Sequence, residues 1–196
     1  MKDVHSAVKE LSSMIAVLET ERKNIFSYAF SWRFLAEIRF FESSFGLHSE
    51  YRTDRFFVDN AYNVKGLNED IISIIALREF IESRVPDISE ESGVFGVYGQ
   101  YGYIGLLGVI DYIISKNDDY IHVYIEKFFD IVDYLSQELQ PNVDFLTDDS
   151  VLNSSIFRTE YKKVIDMIEF YLRVDLSEIE YVKEIELKPL YQKWIS

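Results

Sequence analysis

Apolar residues recur every three or four positions in several separate segments of this 196-residue chain. The first segment places Val4, Val8, Leu11, Ile15 and Leu18 on one side of a helix. Residues that cap or stop helices separate the segments, and no Pro-rich or Ser/Gly-rich linker divides them. The sequence therefore predicts an all-α protein, a single-domain bundle of about six or seven helices over residues 1–196.

The predicted helices share this periodicity and a boundary residue at one end or both. They cover about 3–22, 25–45, 69–85, 103–115, 119–139 and 154–173, with a last helix starting at Ser177. Asn68, Asn117 or Asp118, and Ser154 are the expected N-caps.

Two segments also carry a strand signal. Between Phe26 and Phe34, aromatic residues alternate with small or polar ones, which is typical of a strand. We predict a helix there, because the spacing downstream is helical and no turn residue intervenes. The segment Ile179–Leu187 has a short strand as its alternative, so a minor strand pair stays open.

Six of the eight glycines stand at positions 93, 96, 99, 102, 105 and 108. The glycines from Gly93 to Gly99 predict a flexible loop with Phe95 and Tyr98 at its tip. From Gly102 to Gly108, a spacing of three lies near one helical face and favours close packing against another helix. A ligand pocket along this Gly93–Gly108 ladder is the alternative. The ladder matches neither the dinucleotide fingerprint nor the P-loop.

Charge is concentrated in the middle of the chain. The formal net charge is −14, and residues 85–150 carry thirteen acidic side chains against two lysines. The helix at 119–139 has an apolar face, with acidic residues opposite it. This face is either an ordinary solvated surface or a docking surface for a basic protein. The expected partner-binding residues are Asp118, Asp119, Tyr120, Glu126, Asp130 and Asp133, with Tyr98 and Tyr101 as aromatic anchors.

Several kinds of site are excluded or unsupported. The chain has no cysteine, which rules out disulfides, thiolate metal sites and a cysteine nucleophile. The negative charge argues against direct nucleic-acid binding. Asp119, His122, Glu126 and Asp130 line one side of a helix, but no second helix offers a matching Glu-x-x-His. We therefore predict no catalytic residues, no metal and no cofactor.

The expected location is the cytoplasm, without membrane association. The first twenty residues lack the apolar core of a signal peptide, and the apolar stretch at 94–114 is broken by glycines, Gln100 and Asp111.

Three functions from different classes fit these observations, and no motif identifies a family. The first is a non-enzymatic protein-binding inhibitor, of the immunity type, that covers the active site of a basic toxin or nuclease. The second is a nucleic-acid mimic of anti-defence type, whose carboxylates imitate phosphates. The third is a helical ligand-binding or enzyme domain with its pocket at the glycine ladder. We expect the first, and the oligomeric state stays open.

Overall fold

Helices make up 86% of the described residues, which contain no strand. The computed structural model describes residues 3–46, 71–87, 93–139, 148–175, 189–190 and 193. The helices within these ranges are α1 (Val4–Ala16), α2 (Thr20–Ser44), α3 (Ile71–Glu82), α4 (Gly93–Ser115), α5 (Asp119–Glu138), α6 (Asp148–Asn153) and α7 (Ser155–Arg173). The predicted all-α bundle of six or seven helices is confirmed. The expected cap at Asn68, the segment Ile179–Leu187 and the helix from Ser177 lie outside the described residues.

The first helix ends earlier than its apolar spacing predicts. The Asp3 side chain caps its start by accepting a hydrogen bond from the Ser6 backbone N–H at 2.5 Å. The helix stops at Ala16, and Val17 is 81% exposed in the turn that follows. Leu18 belongs to this turn and still reaches the core. The apolar spacing therefore continues past the end of the helix, which explains the overlong prediction.

The aromatic segment from Phe26 to Phe34 lies inside α2, so the prediction of a helix there is confirmed. This part of α2 is buried on nearly every side. Its two serines, which contribute to the strand-like alternation, both form hydrogen bonds. Ser27 shares a 3.0 Å hydrogen bond with the Tyr124 hydroxyl, and the Ser31 hydroxyl donates to the Tyr28 carbonyl. Their hydrogen bonds allow these serines to lie in the core.

Helix α4 packs against α2 through its glycines. A Cβ atom at Gly105 would overlap the ring of Phe34, and one at Gly99 would overlap the ring of Phe41. Both rings are buried. The two helices can therefore approach closely only because α4 lacks side chains at these points. The predicted loop over Gly93–Gly99 is wrong, because these residues form the first turns of α4.

The same glycine ladder also serves a second contact. At Gly108, a Cβ would lie 3.2 Å from Tyr124 Cβ on α5. In a helix of 3.6 residues per turn, each step of three residues falls short of a full turn by about 60°. Over the three steps from Gly99 to Gly108, the ladder therefore rotates from the α2 side of α4 to its α5 side. These contacts support the packing interpretation, although the glycines do not stay on one face as expected.

Two buried carboxylates, one on α7 and one on α2, have contrasting surroundings. Glu160 of α7 lies within 3.1 Å of the Arg33 guanidinium and 3.0 Å of the Lys163 ammonium group, and Lys193 also pairs with it. Burial alone would raise the pKa of Glu160, but these cationic hydrogen-bond donors lower it below its ordinary value. Glu160 is thus held as an anion in the interior.

The second carboxylate, Glu37, has much weaker compensation. Its Oε1 accepts a hydrogen bond from the Leu190 backbone N–H at 2.7 Å, and its buried Oε2 has no hydrogen-bond partner among the described residues. Burial raises the pKa of Glu37 to about 8, despite the Leu190 hydrogen bond. Around neutral pH, Glu37 is therefore mainly protonated.

Candidate docking surface

The outer face of α5 is positioned by an apolar inner face. Ile121, Tyr124, Ile125 and Phe128 are all buried on the inner side, where α5 packs against α1, α2, α4 and α7. Asp118 is the N-cap residue without a capping side-chain hydrogen bond, and the preceding Asn117 accepts a 3.0 Å hydrogen bond from the Asp119 backbone N–H through its Oδ1. The register of α5 is therefore fixed by its core contacts, and its acidic residues are left on the outside.

The three partner-binding residues predicted at the start of α5 differ in exposure and in their contacts within the chain. Asp119 is exposed, while Asp118 forms a 2.8 Å ion pair with Lys23 of α2. Tyr120 is half-buried and packs against the hydrophobic core. Of these three predicted partner-binding residues, Asp119 is exposed, whereas Asp118 and Tyr120 are half-buried.

Farther along α5, Glu126, Asp130 and Asp133 are all half-buried on the outer side. The Lys127 ammonium group lies 2.7 Å from Asp130 Oδ2 and 3.9 Å from Glu126 Oε2. Asp133 accepts a hydrogen bond from the Gln137 side chain at 3.3 Å. Lys127 thus offsets part of the charge of Glu126 and Asp130.

The two predicted tyrosine anchors have different positions. Tyr98 has no exposed surface, so the expectation of an exposed anchor there is wrong. It lies in α4 rather than in a loop, and its ring contacts the edge of the Tyr134 ring at a centroid distance of 5.8 Å. Tyr101 is half-buried, and Lys127 Nζ lies 5.3 Å from its ring centroid. Tyr101 therefore reaches the acidic side of α5, and Tyr98 lies in the core.

The carboxylates of α5 affect the two tyrosines beside them. Burial raises the pKa of Tyr101, and the negative charges of Asp130 and Asp133 raise it further. The pKa of Tyr134 is raised by burial, by Glu138 and by Tyr101. The sequence analysis missed Tyr134, although it follows Asp130 by four residues and so shares its face of the helix. We call Glu126, Asp130, Asp133, Tyr101 and Tyr134 the acidic surface.

One group of side chains among the described residues has the composition of a metal site. His5 of α1 meets His122 and Glu126 of α5, and one ligand atom from each lies within 4.8 Å of the others. The sequence analysis considered His122 and Glu126 but not His5. No signal in the sequence pairs His5 with them, because the contact depends on how α1 packs against α5.

Comparison of the chain with protein-family models, with curated proteins and with solved structures finds no match. Among the described helices, none combines the length and the apolar character needed to cross a membrane.

Proposed function

We propose that this chain is an acidic, immunity-type inhibitor that binds a basic protein, a toxin or a nuclease, and covers its active site. One observation carries the proposal: three carboxylates and two half-buried tyrosines share the outer side of α4 and α5. The buried core contacts of α5 come from the face opposite Glu126, Asp130 and Asp133.

The two kinds of side chain on the acidic surface have complementary effects on binding. Carboxylates attract a basic partner over distances of about one Debye length, roughly 8 Å at physiological salt, and so raise the association rate. Tyrosine offers a large apolar ring and a hydroxyl, and it is enriched among the residues that dominate interface energies. Tyr101 and Tyr134 would supply the short-range contacts after the carboxylates have oriented the partner.

Lys127 places a requirement on the side chains of the partner. It pairs with Asp130 in the free chain, and its ammonium group lies over the Tyr101 ring. A cationic side chain of the partner has to displace Lys127 or share these carboxylates with it. Arginine suits that exchange, because its planar guanidinium can bind a carboxylate through two hydrogen bonds. An arginine-rich active site is therefore the preferred target.

The glycine ladder gives no comparable support to the ligand-pocket alternative. The space next to Gly99 and Gly105 is filled by rings of α2, and that next to Gly108 by α5.

The experiment uses three forms of the full chain as baits in lysate of the source cell, at low and at moderate salt. They are the unmodified chain, the double variant Asp130→Lys/Asp133→Lys, and the control Asp166→Lys/Glu169→Lys. The control pair has the same spacing, is exposed on α7 and changes the net charge equally. A basic protein retained by the unmodified chain and the control, lost with the first variant, and inhibited by the chain at one-to-one stoichiometry would support the proposal.

Other outcomes would contradict it. Equal loss of the partner in both variants would mean that overall charge, rather than the acidic surface, governs binding. Retention of several unrelated nucleic-acid-binding proteins, released together by moderate salt, would favour nucleic-acid mimicry. A captured protein whose activity is unchanged by the chain would exclude the inhibitor role.

A further inference from the structure

Three metal-ligating side chains converge where α1 packs against α5. His122 and Glu126 lie one helical turn apart on α5, so they share a face. His5 approaches from α1, and its ring meets the edge of the His122 ring at a centroid distance of 5.7 Å. The potential ligand atoms of all three residues lie within 4.8 Å of one another. This site uses two of the three histidines in the chain.

A second observation concerns which nitrogen of His122 is available. The Ser12 hydroxyl donates its hydrogen to the Val8 carbonyl at 2.8 Å. A hydroxyl has one hydrogen, so in the 3.4 Å contact between Ser12 Oγ and His122 Nδ1 the imidazole N–H is the donor. In the neutral ring with its hydrogen on Nδ1, Nε2 carries the lone pair. Metal-binding histidines commonly have their other ring N–H held by an acceptor in this way.

From this geometry we propose that His5, His122 and Glu126 bind one divalent transition-metal ion of the zinc class. Two imidazoles and one carboxylate suit Zn²⁺, Co²⁺ or Ni²⁺, whereas Mg²⁺ and Ca²⁺ prefer all-oxygen sites. Ligand distances near 2.0–2.1 Å place tetrahedral ligands about 3.3 Å apart. The present ligand atoms lie within 4.8 Å of one another, so metal binding would draw the three side chains closer together.

The site has two consequences for the protein. Three protein ligands leave a coordination position for water or for a ligand from another molecule. The ion would also join α1 to α5, because the ligands come from both helices, and metal binding would therefore raise the melting temperature. The proposal does not rest on the proposed function, although Glu126 takes part in both.

The experiment is calorimetric titration of the full chain, without a histidine tag, with Zn²⁺. The variants are His5→Ala, His122→Ala and Glu126→Gln, and the control is His48→Ala, which removes the remaining histidine. We expect one ion per chain, affinity at least about tenfold weaker in each of the three variants, and no change in the control. Co²⁺ should give the visible absorption of a low-symmetry site in the unmodified chain, and Mg²⁺ should not compete.

Several results would overturn the proposal: no saturable Zn²⁺ binding, unchanged affinity in His5→Ala, unchanged affinity in Glu126→Gln, or loss of binding in His48→Ala. His5 is exposed, so its variant keeps the test valid if His122→Ala fails to fold. The variant Asp130→Lys/Asp133→Lys should still bind Zn²⁺. That result would show that zinc binding does not depend on Asp130 and Asp133. Either proposal can then fail while the other stands.

Discussion

Where α2 meets α4, the aromatic rings of one helix lie against the glycines of the other, whereas the outer face of α5 carries half-buried carboxylates and tyrosines. On the inner side, Phe34 and Phe41 occupy space that any side chain on α4 at Gly105 or Gly99 would fill. On the outer side, Asp130 forms an ion pair with Lys127, and Asp133 accepts a hydrogen bond from Gln137. Close packing between α2 and α4 explains the residues of the first region. A function is therefore more readily inferred from the residues of the second region.

The largest expected effect comes from filling the inner contact. Gly105→Val places three carbon atoms against the buried ring of Phe34, which has no exposed surface into which to move. Overpacking of this kind costs typically about 1–3 kcal/mol or more, and valine regains only part of the helix propensity that glycine loses. We expect the free energy of unfolding, measured with urea, to fall by about 3 kcal/mol.

Gly108→Ala is the comparison for that variant. A Cβ there would lie 3.2–3.4 Å from atoms of Val123 and Tyr124, close but without the overlap found at Gly105. A gain in helix propensity of about 1 kcal/mol offsets the crowding, so stability should change little. If Gly105→Val is as stable as the unmodified chain, α2 and α4 do not pack as described.

A medium-sized, pH-dependent effect is expected at Glu37. Its carboxyl is protonated in both folded and unfolded chains below pH 4.5, while between pH 4.5 and about 8 only the unfolded chain loses the proton. Ionisation thus stabilises the unfolded state, and the stability contributed by the raised pKa is lost as pH rises through this window. Glu37→Gln cannot ionise and should escape this loss, so its stability relative to the unmodified chain should rise progressively with pH across the window.

Urea unfolding of both forms at intervals from pH 5 to pH 9 measures this difference. Glu79→Gln, at an exposed position on α3, is the control and should stay parallel to the unmodified chain. Parallel curves for Glu37→Gln would show that Glu37 ionises at an ordinary pH and that its surroundings are more polar than described. Glu160→Gln should instead be less stable than the unmodified chain, because it removes a carboxylate that three basic residues stabilise as an anion.

Local patterns in the sequence predicted most of the helices. The apolar spacing of residues 119–139 gave α5 and its buried face, and Ser154 caps α7 as expected by accepting a hydrogen bond from Phe157 N–H at 3.1 Å. The packing role of Gly105 also followed from its spacing. Each of these inferences depends on residues within one or two helical turns.

Contacts between distant segments could not be predicted in this way. Arg33 and Glu160 are 127 residues apart in the chain, and no local pattern pairs them. The burial of Tyr98 was missed, because glycines such as those around it occur both in loops and at close helix contacts. His5 was missed as a neighbour of His122 for the same reason as the ion pair between Arg33 and Glu160. In both cases the packing of separate helices brings the two residues together.

The smallest expected effect on stability comes from charge reversal on the outer face of α5. It tests whether the carboxylates there contribute to folding. Asp130→Lys/Asp133→Lys removes the ion pair with Lys127 and puts like charges nearby, at a cost of about 0.2–0.5 kcal/mol for each helical pair. The two reversals also reduce the formal charge from −14 to −10, which lowers self-repulsion across the chain. The free energy of unfolding should therefore change by less than about 1 kcal/mol, as in Asp166→Lys/Glu169→Lys. A loss as large as that of Gly105→Val would mean that these carboxylates are needed for folding. Their presence on α5 would then be explained without a partner, and the contrast between the two regions would no longer support a docking surface.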